Sequence, residues 1–294
     1  MSRITEERNP VSKGIDKKPV QEVLKIINNE DAKITDAINA QLLQIEEAVK
    51  KIITTLLSDG NVYLVGAGTS GRLCVLEASE IPPTFGLSPE RINAIIAGGV
   101  EAVFTSIEEA EDDREDASTE IEKNGVNARD LVIGVTASGS TPFVLGAIDK
   151  AKELGAQTVG LSCNQDTLLS KLVDIAIEVV VGPEIVAGST RMKAGTTQKM
   201  VLNMMTTTAM MKLGLVYDGY MVGVQATNSK LKEREKNIIA AVTGASYDEA
   251  EKALKAANWD ARVAILVILT HKSPEEAVLE LKTRTLRQIL SGEE

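Results

Sequence analysis

Aromatic side chains make up only 3% of this 294-residue chain, so there are few rings on which nucleic-acid bases could stack. It has a single histidine, His271, in a stretch that reads as helix and turn, where a surface position is expected. Any acid–base chemistry must then fall to carboxylates or lysines. Cysteine is nearly absent as well. Cys74 and Cys163 lie in apolar contexts without metal-ligand spacing, which predicts reduced core residues of a cytoplasmic protein and no metal site. No segment reaches the roughly 18 apolar residues of a spanning helix; the greasiest, Ala261 to Thr270, is too short, and M-S-R-I-T-E-E-R-N-P carries no apolar signal core. Basic charge is also in short supply. With 42 acidic against 32 basic residues, the net charge is −10, and nothing forms the basic stripe of a nucleic-acid binder. These shortages predict neither membrane nor nucleic acid as a partner.

What is present is core material, at 44% hydrophobic residues, enough for one large domain or two smaller ones. Residues 1 to about 20 carry Pro10, Gly14 and Pro19 among charges and suggest an extended arm. Val20 to Asn28 reads as a short helix. Asp31 to Leu57 reads as a long amphipathic one, with Ile34, Ile38, Leu42, Ile45, Val49, Ile52 and Leu56 recurring every three or four positions. That stripe needs a partner, either its own sheet or a second subunit. Strand-like runs follow at Val62 to Gly66, Ile92 to Ala97, Leu131 to Thr136, Thr158 to Ser162 and Ile175 to Val181. Continuous apolar runs alternating with helical patterns predict an α/β fold, a parallel sheet covered on both faces, in which ligands sit beyond the carboxyl ends of the strands.

Three segments collect at that edge. The first, N-V-Y-L-V-G-A-G-T-S-G-R, places Gly66, Gly68 and Gly71 in a G-x-G-x-x-G pattern. The acidic residue that a dinucleotide fold needs about 20 positions on is missing. Thr69 and Ser70 instead supply hydroxyls beside a helix N-terminus, which suits a compact phosphate monoester. Such a turn can equally serve only to bring a strand close to a helix. The second, T-A-S-G-S-T-P, sets Thr136, Ser138, Ser140 and Thr141 around Gly139 ahead of Pro142, a second helix-terminal anion site. The third, Gly182 to Lys199, delivers Glu184, Ser189, Thr190, Arg191, Lys193 and Lys199, of which Arg191 and Lys193 are candidate cations for a dianion. The methionines after it, Met200, Met204, Met205, Met210 and Met211, read as packing.

Carboxylates are plentiful near the same edge. Glu77 and Glu80 lie one turn apart on the helix after the glycine loop, which Pro82 and Pro83 are expected to stop. After the second strand comes the acidic run from Glu101 to Asp116. Most of it reads as a solvated helix face, but acid beside an anion site is unfavourable unless at least one carboxylate has a chemical task. From about Lys232 the chain turns to charged, alanine-rich helix with boundaries at Gly244/Ser246 and Ser273/Pro274, read as a small bundle of three helices.

The motifs T-E-E-R-N, Ile15-Asp16, I-N-N-E-D, V-G-A-G-T-S-G-R-L, E-A-S-E-I-P-P-T-F-G, I-A-G-G, E-E-A-E-D-D-R-E, A-S-G-S-T-P, S-T-R-M-K-A-G-T-T-Q-K and A-T-N-S-K-L carry a resemblance over almost the whole length. The chain resembles the bacterial N-acetylmuramic acid 6-phosphate etherases, built on the sugar isomerase (SIS) domain. The resemblance implies a five-stranded parallel, flavodoxin-like sheet in residues 59–231. It implies an N-terminal arm and helices over 1–58, packing on the core or the partner subunit, and a small helical, UBA-like domain over 232–294. It further implies cleavage of the D-lactyl ether of a phosphorylated amino sugar without metal, nucleotide or other cofactor, in a cytoplasmic homodimer serving amino-sugar catabolism and cell wall recycling. The family's two catalytic glutamates fall on Glu80 and Glu111, assigned as acid and base. Substrate binding falls on Gly68, Thr69, Ser70, Ser138, Gly139, Ser140, Thr141, Glu184, Ser189, Arg191 and Lys193, with Glu184 matching a glutamate that isomerases of this fold use for proton transfer. Ser140 stands where the family often has arginine, and Glu109 where it often has glycine. Two rival functions share the fold, an aldose–ketose isomerase and a non-catalytic sugar-phosphate sensor.

Overall fold

The structure, a computed structural model, describes residues 4–224 and 229–292. Residues 1–3 of the N-terminal stretch and 226–228 of A-T-N-S-K-L lie outside the described residues. The chain forms two compact units, residues 1–78 with 90–206 and residues 79–89 with 207–294.

The first unit opens with three 3-10 turns, Ile4–Glu6, Pro10–Ser12 and Ile15–Lys17, and then α1 (Val20–Asp31), α2 (Ile34–Asn39) and α3 (Leu42–Leu57). The sheet elements follow as β1 (Val62–Gly66), α4 (Gly68–Phe85), β2 (Ile92–Ile96), α5 (Glu101–Phe104), α6 (Arg114–Lys123), β3 (Leu131–Val135), α7 (Pro142–Glu153), β4 (Gln157–Ser162), α8 (Leu168–Leu172), β5 (Ile175–Glu178) and α9 (Lys193–Lys212). All five strands are parallel, in the order β2-β1-β3-β4-β5. The order reverses between β1 and β3, and in sheets of this kind a crevice opens at that point beyond the strand ends. Both central strands are buried along their whole length, which is why they read as unbroken apolar runs. Tyr63, Val65 and Val132 face α6 and α7, whose Ala117, Ile121, Phe143, Val144 and Ile148 complete one core layer. Because successive strand residues alternate faces, Val62, Leu64, Leu131 and Ile133 point the other way, on the side where α3 packs against β1, β3 and β5.

Three expectations change. The N-terminal arm is a chain of short turns clipped to the segment that follows β5: Gly188 N–H donates to the Thr5 carbonyl, Asn9 Nδ2 to the Pro183 carbonyl and Ser12 Oγ to the Ile185 carbonyl. The long helix breaks between α2 and α3, where Gln41 leaves helical geometry and its side chain accepts from the backbone N–H of Glu178 on edge strand β5. Its buried stripe, including Ile45, Val49 and Ile52, settles on this chain's own sheet. Pro82 and Pro83 do not stop α4. Both lie inside it, in its last turn, and it ends at Phe85; proline's fixed φ suits a helix, and the missing N–H and the ring's clash with the carbonyl four residues back are borne close to the helix end.

The second unit has a two-residue hairpin, β6 (Val216–Tyr217) with β7 (Tyr220–Met221), turned by Asp218 and Gly219, both at positive φ. After it come α10 (Ser229–Thr243), α11 (Tyr247–Ala256), α12 (Ala261–Thr270), α13 (Pro274–Leu281) and α14 (Leu286–Ser291). The three helices legible in the sequence are α11 to α13, and the described residues add one on either side. Capping boxes at Ser246/Glu249, Ser273/Glu276 and Thr285/Gln288 start three of them. Ile239, Leu254, Ala264, Ile265, Leu266 and Leu286 form the core. His271 caps the end of α12 in left-handed geometry, exposed. No helix among the described residues is long and apolar enough to cross a membrane.

Candidate functional site

The glycine loop shows why its three glycines differ. A Cβ at Gly71 would fall 2.5 Å from Ile96 Cγ1 and 2.7 Å from the Gly66 carbonyl oxygen, so Gly66 and Gly71 let β1 and the start of α4 touch. Gly68 has φ +52 and open space around it; it turns the backbone and leaves its face bare. That face lines a cavity of about 270 Å³ with Arg72, Ala97, Ser106, Glu108 and Glu111. Arg72 fixes the far wall, donating from Nε to the Val103 carbonyl and from Nη2 to the Thr105 carbonyl.

The acidic run is therefore not one helix. It divides into α5, a 3-10 turn over Glu108–Asp112, and α6, whose N-cap Asp113 accepts from the N–H groups of Glu115 and Asp116. The 3-10 turn carries Glu111 to the cavity beside Gly68. Partial desolvation there, followed by the like charges of Asp112 and Glu108, raises the Glu111 pKa above the ordinary carboxylate value. A carboxyl moved toward neutrality in a cleft is what proton transfer requires. Glu80 lies on the α4 segment that belongs to the second unit, and it is exposed. Glu77, one turn before it in sequence, is buried and accepts from Asn203 Nδ2 and Thr206 Oγ1.

Ser138 accepts from the Ser140 N–H and hydroxyl at 3.2 Å, and the Thr136 hydroxyl lies 3.2 Å from Ser138 Oγ and 2.7 Å from Thr141 Oγ1. Thr141 is the N-cap of α7 with Pro142 at N1, yet its side chain makes no capping bond. The first N–H groups of that twelve-residue helix thus receive no side-chain cap from Thr141. Ser138 and Ser140 line a second cavity, about 580 Å³, with Asn164, Asp166, Thr167 and Lys171. Gly139 sits where a Cβ would collide with Thr167.

Two residues of the third segment depart from expectation. Glu184 is 1% exposed and accepts the backbone N–H groups of Lys193 and Ala194 on its two oxygens, at 3.0 and 2.9 Å; it caps α9. Lys193, expected as a cation for the ligand, is also 1% exposed, with Nζ 2.8 Å from Glu30 Oε2 and 2.9 Å from the Val181 carbonyl. Its charge is matched internally. Burial pushes the Glu30 carboxyl up, but hydrogen bonds from Lys193, Lys33 and Asn9 prevail and hold it at about 2. Ser189 donates its N–H to the Val186 carbonyl. Arg191 is exposed and makes no hydrogen bond or ion pair among the described residues.

Sequence reading missed the Asn9–Glu30–Lys193 cluster, because its members stand 21 and 163 positions apart. It also missed Gln198, whose side chain is buried against the glycine loop: Ser70 Oγ donates to Gln198 Oε1 at 2.9 Å. A Cβ at Gly195, one turn earlier on α9, would lie 3.3 Å from Thr69 Cγ2, so the start of α9 lies against both loop hydroxyl residues. Among the described residues no cluster of His, Cys, Asp and Glu is arranged to hold a metal ion.

Known proteins share this architecture. Residues 44–152 match the family model of the glucokinase regulatory protein N-terminal SIS domain. In solved structures, a phosphoheptose isomerase from Neisseria gonorrhoeae superposes with a TM-score of 0.52 at 16% identity, over 65% of this chain and 98% of that one. A protein of Escherichia coli CFT073 gives 0.50 at 16% identity, over 69% and 97%. Sequence relatives are much nearer. An N-acetylmuramic acid 6-phosphate etherase of Pasteurella multocida is 47% identical over 93% of this chain and 91% of its own length, and one of Caldanaerobacter subterraneus is 46% identical over 93% and 90%. At that identity over nearly the full length of both chains, this protein belongs to the N-acetylmuramic acid 6-phosphate etherase family.

Proposed function

We propose that this protein cleaves the D-lactyl ether of N-acetylmuramic acid 6-phosphate, giving N-acetylglucosamine 6-phosphate and D-lactate. What supports the reading at the level of residues is the cavity that Gly68 shares with Glu111, a bare helix-start backbone beside a carboxyl whose pKa is raised. Once the sugar ring opens, the C1 aldehyde acidifies the proton at C2. Glu111 as base removes that proton while Glu80 as acid protonates the C3 ether oxygen and lactate departs. Water then adds at C3 of the unsaturated aldehyde. Gly68, Thr69 and Ser70 hold the phosphate with Ser138, Gly139, Ser140 and Thr141, helped by the uncapped amides of α7. Ser189 and Arg191 contribute from the third segment, whereas Glu184 and Lys193 serve the scaffold, since every polar atom of their side chains already has a protein partner.

In the same reading residues 59–231 are the sugar-phosphate domain, 1–58 its N-terminal addition and 232–294 the helical, UBA-like domain. The enzyme acts in the cytoplasm, in amino-sugar catabolism and cell wall recycling, as a homodimer. Val20, Leu24, Leu43 and Leu57, exposed on α1 and α3, offer apolar surface for a second copy. The test is direct: purified protein should release D-lactate from the muramic acid 6-phosphate, and Glu80→Ala and Glu111→Ala should each abolish release with the fold intact. In H₂¹⁸O the label should enter the sugar at C3; label in lactate would reject the elimination route.

A further inference from the structure

We infer that Gln198 is a positioning residue that sets the direction in which the Ser70 hydroxyl donates, and through it the grip on the substrate phosphate. The inference rests on the phosphate role proposed for the glycine loop.

The geometry contains a mismatch. Ser70 has one hydroxyl hydrogen, and it is directed inward to Gln198 Oε1, with the two residues only 8% and 1% exposed. Ser70 then presents lone pairs to whatever occupies the loop, which suits no phosphate oxygen. On the other side of the same amide, Gln198 Nε2 is buried with no hydrogen-bond partner of good geometry and only the Cys163 sulfur to turn to, so its desolvation is poorly compensated. The amide lies against Cys163, whose thiol is pushed up to about 12, chiefly by burial and then by the charge of Glu184, with hydrogen bonding from the Gln198 side chain opposing. It stays protonated, and its sulfur is a weak acceptor.

Half a turn of the amide removes the first fault and eases the second. Oxygen and nitrogen ends are nearly equal in size, so the packing is unchanged. Nε2 then donates to Ser70 Oγ, the Ser70 hydrogen is released toward a ligand oxygen, and the amide oxygen faces Cys163, whose S–H makes only a long bond to the Ala194 carbonyl at 3.8 Å and is free to turn to it. Gln198 does not reach the ligand; it holds Ser70 as an acceptor on one side so that Ser70 is a donor on the other. The start of α9 is fixed for this by the Glu184 cap and the close approach of Gly195 to Thr69.

The test compares Ser70→Ala, Gln198→Met, Gln198→Glu and the Ser70→Ala/Gln198→Met pair in the full chain, with N-acetylglucosamine 6-phosphate as the binding probe. Gln198→Met should weaken binding and raise KM about tenfold with a much smaller change in kcat, and the double variant should be no weaker than Ser70→Ala. Gln198→Glu separates positioning from packing. Ionised, it only accepts and keeps the Ser70 hydrogen inward; protonated, it has an O–H to donate. Its affinity relative to wild type at each pH should therefore recover as the pH falls. If Ser70→Ala binds weakly while Gln198→Met binds like wild type, or if the Gln198→Glu ratio is flat with pH, the Gln198 inference is overturned and the loop reading survives. If Ser70→Ala itself binds like wild type, the loop reading fails.

Discussion

Glu235 on α10 offers a sharp test of how burial governs the second unit. The residue is 1% exposed, and neither carboxyl oxygen has a hydrogen-bond partner. Its pKa is raised from 4.5 to about 7, first by desolvation and then by the charge of Asp260, with Lys232 opposing. Asp260 is already committed to the N-cap of α12, and Lys232 lies over the Trp259 ring, 4.7 Å from its centroid. A carboxyl with a raised folded pKa binds more protons when folded than when unfolded. Stability is therefore highest below the unfolded value and falls as pH rises through the interval from 4.5 to about 7. Linkage over that shift amounts to about 2.5 kcal/mol lost between pH 5 and pH 8. Glu235→Gln cannot titrate, so the stability difference between variant and wild type should move by that amount in favour of the variant from pH 5 to pH 8. Because the chain has two compact units, the readout should be local: amide hydrogen exchange in α10 to α12, where the wild type opens more readily at pH 8. A difference that stays constant across that range would mean that Glu235 folds with its charge solvated or paired, and the burial argument would fail.

The strands were legible because their signal is local. Val62–Gly66 is an unbroken apolar run since β1 is buried along its whole length, and the glycine loop and acidic run could be placed near one sheet edge by counting strands. What could not be read depends on partners distant in sequence. The break at Gln41 exists because its side chain meets Glu178, 137 positions away. Lys193 looks like any loop cation until Glu30, 163 positions earlier, is found on its ammonium. Glu184 stands nine residues before the helix whose N–H groups it accepts, far from the three-residue spacing of a capping box, so the usual signature never appears. In each case a buried polar group needed a partner, and sequence shows the need without the partner. The same holds at the candidate site: composition and spacing leave Glu111 one of many acids, the motif resemblance alone picks it out in the sequence, and the 3-10 turn at Glu108–Asp112 supplies the physical reason by carrying it to the Gly68 cavity.

Lys193→Met should destabilise the first unit by about 3 kcal/mol, at the low end for a broken buried pair, because Lys33 and Asn9 still reach Glu30; an unchanged denaturation midpoint would refute this. Gly71→Ala should disrupt the glycine loop, having a Cβ 2.5 Å from Ile96 Cγ1, whereas Gly68→Ala meets no atom within 4 Å and bears only the strain of φ +52. Equal melting temperatures for the two variants would contradict that division. The acid limb of kcat/KM tests Glu111. If it is the base, activity falls as pH drops through its pKa. That pKa is held up by desolvation first and by Asp112 second, so Asp112→Asn removes a repulsion that favours the neutral form and must shift the limb to lower pH. Glu108→Gln should shift it the same way and less, as the smaller of the two repulsions. Desolvation remains in both variants, so neither should bring the limb down to that of a free carboxylate. A limb that stays fixed in both would show that the group titrating in the free enzyme is not the carboxyl at the Gly68 cavity, and the base would have to be sought elsewhere.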